Sequence, residues 1–201
     1  ADRWFVLETC GLPPVSATVA RIPYAGQVLS VTRSGSSIGF GSALVTAGGG
    51  VYRLCWCAAG FSCSTTENYR VDAGELLLLG PSLQGRTCIS GQACAFPTPL
   101  GKFLFNTDSY MVLETCGIAG SLVEGLPDGG MLSGDNTTGC QGGNCELTFG
   151  TTIVTAPGGQ YQLCWCSGPT FIREEHFVVT SGAFVLIGPE ALNLVRTCIA
   201  E

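Results

Sequence analysis

Apolar residues in this chain come in short runs rich in Val, Leu, Phe, Tyr and Thr, and Gly or Pro interrupts them about every ten residues. Apolar positions at helical spacing are nearly absent, so the pattern predicts strands throughout. Expected strands cover 4–9, 16–22, 28–32, 42–46, 51–57 and 69–79, then 109–115, 121–123, 146–149, 152–155, 160–166 and 177–187. Short strands at this density give an all-β class, with disulfide-stapled β-sandwiches of immunoglobulin-like architecture as the default.

The pattern is written twice. Phe5-Val6-Leu7-Glu8-Thr9-Cys10-Gly11 returns as Met111-Val112-Leu113-Glu114-Thr115-Cys116-Gly117. Tyr52-Arg53-Leu54-Cys55-Trp56-Cys57 returns as Tyr161-Gln162-Leu163-Cys164-Trp165-Cys166, and Arg86-Thr87-Cys88-Ile89 as Arg196-Thr197-Cys198-Ile199. The offset runs from 106 to 110 residues, which fits one small domain per copy rather than a solenoid turn. The expected organisation is a sandwich at 1–93, a linker with a strand-like segment at 94–108, and a second sandwich at 109–201.

Side chains alternate faces along a strand, so Tyr52, Leu54 and Trp56 should share one face and Arg53, Cys55 and Cys57 the other. A Tyr fed by a glycine turn resembles the tied-down corner of immunoglobulin-like sandwiches, although that Tyr stands two residues before its Cys and here the gap is three. Gly74 and Gly182 fall at matching places in the last strand of each copy, where glycine marks a bulge or a close backbone approach.

Twelve cysteines in 201 residues, none in a Cys-x-x-Cys pair, indicate an oxidising compartment and disulfides rather than zinc. Four are shared by both copies. We expect Cys10–Cys55 and Cys57–Cys88 in the first copy, the former from parallel strands that set Glu8 opposite Arg53. The second copy should repeat this as Cys116–Cys164 and Cys166–Cys198. The private cysteines then pair as Cys63–Cys94 and Cys140–Cys145, with all twelve oxidised. A local Cys57–Cys63 bridge competes, and ranks second because it leaves Cys166 without an equivalent partner.

Charge narrows the function classes. Only 12% of residues are charged, the net charge is −6, and the nine basic residues are scattered singly. Nucleic acid binding needs clustered Lys and Arg, so it is excluded as an expectation. No run approaches the roughly 18 apolar residues of a membrane span, and no basic-then-apolar leader opens the chain. Any signal peptide has been removed or lies outside it.

Candidate chemistry is sparse. His176 stands beside Glu174 and Glu175, an acid–base arrangement in principle, but reads as an exposed hairpin residue matched by Asn68 in the first copy. Glu124, Asp128 and Asp135 lie in glycine-rich loops without the alternating ligand run of a calcium loop. No catalytic centre, metal or cofactor is expected. Asn136-Thr137-Thr138 is an N-glycosylation sequon in a predicted loop, which makes Asn136 a glycosylation site.

The phrase Gly-x-Tyr-x-Leu-Cys-Trp-Cys at 50–57 and 159–166, followed by Tyr69 or Phe177 and an apolar strand ending Gly-Pro, resembles a cysteine-rich repeat of large secreted or surface proteins of alveolate protists. The resemblance implies an extracellular, multi-repeat protein and carries no activity with it. We expect an extracellular or cell-surface structural protein, a building block of a fibre, coat or stalk whose partners are copies of itself or neighbouring repeats. The alternative is an adhesive module that stacks glycans on Trp4, Tyr24 or Phe61. Phe103-Leu104-Phe105 precedes the second copy and has no counterpart before the first. It is expected to complete the second sandwich, with Phe103 and Phe105 as anchors. The first sandwich would then keep an open edge that recruits a strand head to tail.

Overall fold

The computed structural model describes residues 2–32, 37–105, 107–134, 145–168 and 173–190. The first copy supplies β1 (Arg3–Leu7), β2 (Ser30–Val31), β3 (Ile38–Gly39), β4 (Gly50–Cys57) and β5 (Val71–Leu78). The end of the first copy and the stretch after it supply β6 (Gly80–Pro81), β7 (Arg86–Ile89), β8 (Ala93–Pro97) and β9 (Gly101–Lys102). The second copy adds β10 (Ser109–Leu113), β11 (Met131–Gly134), β12 (Glu146–Ile153), β13 (Gly159–Cys166) and β14 (Val179–Ile187). The class is all-β and the architecture two disulfide-stapled sandwiches, as expected.

In each copy the Cys-Trp-Cys strand is central. β4 lies antiparallel between β1 and β5, and β13 antiparallel between β10 and β14. Its alternating side chains feed two cores. Tyr161, Leu163 and Trp165 enter the main core with Tyr110, Val112 and Phe184, while Cys164 and Cys166 join Leu113 and Phe177 on the other face. Tyr52 and Leu54 likewise pack with Val6 and Ile22, and Cys55 and Cys57 with Leu7 and Tyr69.

The turn before each central strand is tied as the glycine-Tyr pattern suggested. Tyr52 donates its hydroxyl to the Gly48 carbonyl at 2.7 Å, and Tyr161 to the Pro157 carbonyl at 2.8 Å. The Gly49 and Gly158 N–H groups donate to Pro81 and Pro189, each at 2.8 Å, so each turn is also pinned to the Gly-Pro ending its own repeat. Bulges interrupt the register of β4 with β5 and of β13 with β14, beside Gly74 and Gly182.

Several expected strands are absent or rearranged. Residues 16–22 do not form one: Pro13-Pro14 presets helical φ, a single turn runs Pro14–Ala17, and Thr18 Oγ1 donates back to the Pro14 carbonyl at 2.8 Å. Residues 42–46 form no strand, and 146–149 merges with 152–153 into the bulged β12. Strands β7, β8 and β11 were not expected at all. β8 overlaps the start of the segment we read as linker, yet Cys94 and Phe96 alternate as buried positions with exposed Ala93, Ala95 and Pro97.

Cys10–Cys55 and Cys116–Cys164 form, one in each copy. Their geometry differs from the expected one, because β1 and β4 are antiparallel and Leu7, not Glu8, faces Arg53. Arg53 instead meets Asp72 at 3.5 Å and Glu75 at 3.4 Å. Cys57–Cys88 and Cys63–Cys94 are replaced by Cys57–Cys63 and Cys88–Cys94. Cys57 ends a strand of the first sandwich and Cys88 sits in a strand of the second, so each finds its partner six residues away. Cys145 is disulfide-bonded, while Cys140, Cys198 and the sequon Asn136 lie outside the described residues. Cys166 is a buried free thiol, which corrects the expectation of twelve oxidised cysteines. Burial, and secondarily Asp108, push that thiol up to about 11.

Two outcomes follow from these packing details. Iodoacetamide at neutral pH should leave Cys166 intact in the native protein and alkylate it after unfolding without reductant, as read by peptide mass mapping; rapid native alkylation would contradict its burial. Tyr161→Phe removes the turn tie and should cost about 1 kcal/mol, measurable as a lower Tm in thermal denaturation.

Candidate functional site: the strand joint between the copies

β7 and β8 are consecutive in the chain yet stand at opposite ends of the strand order β7-β14-β13-β10-β11-β12-β8. The two strands do not pair with each other. Joined by the turn at 90–92, they form an open hairpin-shaped insert, hereafter the hairpin, that closes the second sandwich. Arg86, Thr87, Cys88 and Ile89 run parallel to Phe184, Val185, Leu186 and Ile187, and Phe96 of β8 faces Leu147 across an antiparallel ladder. Cys88–Cys94 links the two strands. Cys88, Cys94 and Phe96 are buried in one core with Phe149, Val154 and Phe184. Burying a Phe side chain contributes about 2–3 kcal/mol, so Phe96 is the chief apolar anchor of the hairpin.

Hydrogen bonds stitch the hairpin in on both sides. The Gln84 N–H donates to Ser181 at 2.7 Å, Ser90 N–H to Ile187 at 2.8 Å, and Gly91 N–H to Val154 at 2.7 Å. The Ser90 hydroxyl donates to the Ala156 carbonyl at 2.7 Å. Arg86 braces the hairpin's open end, donating to the Pro97 carbonyl at 3.0 Å and to Gln84 Oε1 at 3.2 Å. Gly80 of β6 lies against Trp165, whose ring is 3.4 Å from where a Cβ on that glycine would sit.

The first copy carries counterparts of the two strands that flank this insert. β5 corresponds to β14 and β3 to β12, but β5 pairs only with β4 and β3 only with β2 among the described residues. Phe184 and Leu186 are 0% and 2% exposed beneath β7, whereas their counterparts Leu76 and Leu78 remain half-buried. Leu147 and Phe149 are buried beneath β8, and their counterparts Ile38 and Phe40 are half-buried. Gly182 shows the close backbone approach the sequence suggested: a Cβ there would lie 2.2 Å from the Gln84 carbonyl oxygen. Gly74 has nearly the same φ, +135° against +139°, and a Cβ there would meet none of the described residues within 4 Å.

Other expected residues take different positions. Phe103 and Phe105 are 63% and 55% exposed, and Leu104 between them packs on the second core, so neither phenylalanine is an anchor. Segment 86–97 performs the closure we had assigned to that run. Glu174 Oε1 accepts the Gly120 N–H at 2.6 Å, which holds its carboxyl below the ordinary carboxylate range. Glu175 pairs with Arg173 at 3.7 Å, and His176 ends the same short turn. Asp128 sits in a tight turn at φ +51°, and Asp135 lies outside the described residues. Among the described residues no three His, Cys, Asp or Glu side chains are grouped to hold a metal. No helix among them is long and apolar enough to cross a membrane. Of the candidate stacking residues, exposed Phe61 lines an open cleft with half-buried Trp56 and Asn68 and exposed Arg70 and Val71. Trp4 faces Trp56 across the β1–β4 ladder, and Tyr24 is exposed elsewhere.

The chain is 27% identical over 144 residues to a Toxoplasma gondii protein described as cysteine repeat modular protein B. The match covers 68% of this chain and 2% of that relative, so the chain spans a small piece of the relative's length. No family model and no solved structure matches. The similarity and the disulfides agree with a cysteine-rich repeat.

The two matching glycines give a direct comparison. Gly182→Ala places a Cβ against the Gln84 carbonyl in addition to the strain of positive φ, and should destabilise by about 3–5 kcal/mol. Gly74→Ala meets the strain alone, about 1–3 kcal/mol. Thermal denaturation of both variants should give the larger loss for Gly182→Ala; equal losses would mean the hairpin yields without cost.

Proposed function

We propose that this chain is a structural segment of an extracellular modular protein, in which disulfide-stapled β-sandwich repeats follow one another and build a fibre, coat or stalk. The observation that carries this reading is the seating of β7 and β8, drawn from the end of the first copy and the stretch that follows it, as the closing strands of the second. Each repeat is thereby mortised into the next instead of hanging from a linker. The bridges favour an oxidising, extracellular or cell-surface setting, where small sandwiches with thin cores commonly rely on disulfides. The distant relative is itself described as a cysteine repeat modular protein.

On this reading the partners are neighbouring repeats or copies of the chain, Asn136 carries a glycan, and the segment has no enzymatic role, metal or cofactor. An adhesive, glycan-binding role has one observation in its favour, the cleft where Phe61 and Trp56 stand beside Arg70 and Asn68. Negative-stain microscopy and a glycan array on the purified protein separate the two. Linear rows of sandwiches without saturable glycan binding are the expected result. Discrete monomers that bind a glycan saturably would overturn the structural reading.

A further inference from the structure

We propose that the seam of the first sandwich, between β5 and β3, is a docking groove for the closing hairpin of another repeat. The occupant is a segment of the 84–97 type, its first strand parallel to β5 beside residues 76–79 and its second against β3. This deepens the modular reading and rests on it.

The second sandwich shows what fills such a groove, and the first matches it on both walls. Leu76 and Leu78 stand where Phe184 and Leu186 meet β7, and Ile38 and Phe40 where Leu147 and Phe149 meet β8. Val45 and Ala47 occupy the places of Val154 and Ala156, whose carbonyls accept from Gly91 N–H and the Ser90 hydroxyl. Gly74 keeps the backbone shape of Gly182 with open space in front of it, where the second copy receives the Gln84 carbonyl. A glycine held at φ +135°, with none of the described residues in front of its Cβ position, makes sense as half of a contact whose other half comes from outside.

Counting identifies the occupant. Each repeat carries one groove and one Arg-Thr-Cys-Ile donor motif, at Arg86-Thr87-Cys88-Ile89 and at Arg196-Thr197-Cys198-Ile199. One donor and one groove are joined inside the chain, and the groove of the first copy receives no such strand among the described residues; the donor motif at 196–199 lies outside them. A groove and a donor at different places on one unit make a heterologous contact that propagates instead of closing on itself. Main-chain pairing with a sheet edge supplies affinity in such a joint, and alternate side-chain pockets supply selectivity.

The test uses a synthetic peptide of residues 82–99, closed through Cys88 and Cys94, titrated into the oxidised 201-residue chain. The groove of the second copy is already filled in cis, so saturable one-to-one binding is expected, with slowed amide exchange confined to 38–40 and 71–79. The same peptide carrying Phe96→Asp should bind about ten-fold or more weakly, because it loses the buried aromatic anchor. A chain already paired with itself through the groove would be dispersed by the peptide, which counts in favour. Absence of saturable binding, protection elsewhere, or equal binding of the Phe96→Asp peptide would overturn the proposal. Linear arrays in the microscope together with a failed peptide would remove the groove and leave the modular reading. Peptide binding by a chain whose parent forms no arrays would do the reverse.

Discussion

A sandwich that lacks a hairpin between its two sheets exposes two ladders of backbone donors and acceptors and one flank of its core at the same time. That need for a closing hairpin governs the rest of this molecule. In the second sandwich β7 and β8 meet it, reaching β14 on one side and β12 on the other. The bridge Cys88–Cys94 holds the two strands as one insert. Closing so short a loop contributes about 2 kcal/mol in the chain-entropy account. Its larger effect is geometric, because an insert that splayed open could seal only one side.

The consequence for organisation is a shift of phase. Read as sequence, a repeat runs from the Glu-Thr-Cys strand to the Arg-Thr-Cys-Ile motif. Built in space, the second sandwich begins with the previous repeat's Arg-Thr-Cys-Ile and ends with its own Gly-Pro, which Gly158 pins through Pro189. The folding unit and the repeating unit therefore have different boundaries. The long-loop bridges, Cys10–Cys55 and Cys116–Cys164, fall inside both kinds of unit and fix the central strand whichever boundary is used. They let each half hold a small core together, even where the first sandwich keeps Leu76, Leu78 and Ile38 only half-buried.

Much of this was legible from the chain. Strand alternation gave the class, the Tyr-x-Leu-Cys-Trp-Cys phrase gave the central strand with its two faces, and Gly74 with Gly182 gave the bulged last strand. The pairing of Cys10 with Cys55 was also readable, although the antiparallel β1 and β4 place it differently from the parallel arrangement assumed. What stayed hidden was non-local. Nothing in Arg86-Thr87-Cys88-Ile89 says which sandwich it enters, and treating each copy as self-contained forced Cys57 onto Cys88. The Pro and Gly residues around 90–108 also disguised the period-two burial of Cys94 and Phe96 as a linker. Phe103 and Phe105 drew attention by their size, but the exposed turn they sit in leaves only Leu104 facing the core.

The parallel register of β7 with β14 also sets how the second sandwich bears tension. A pull along the chain reaches it through the start of β7 and leaves it past the end of β14. Those two points lie at opposite ends of adjacent parallel strands, so the load runs along the ladder and all of its hydrogen bonds share it in shear. An antiparallel pair pulled from one end would unzip bond by bond instead. Resistance to stretching in such a joint is a matter of how fast the ladder fails as a whole, a kinetic property set by the barrier to unfolding rather than by equilibrium stability.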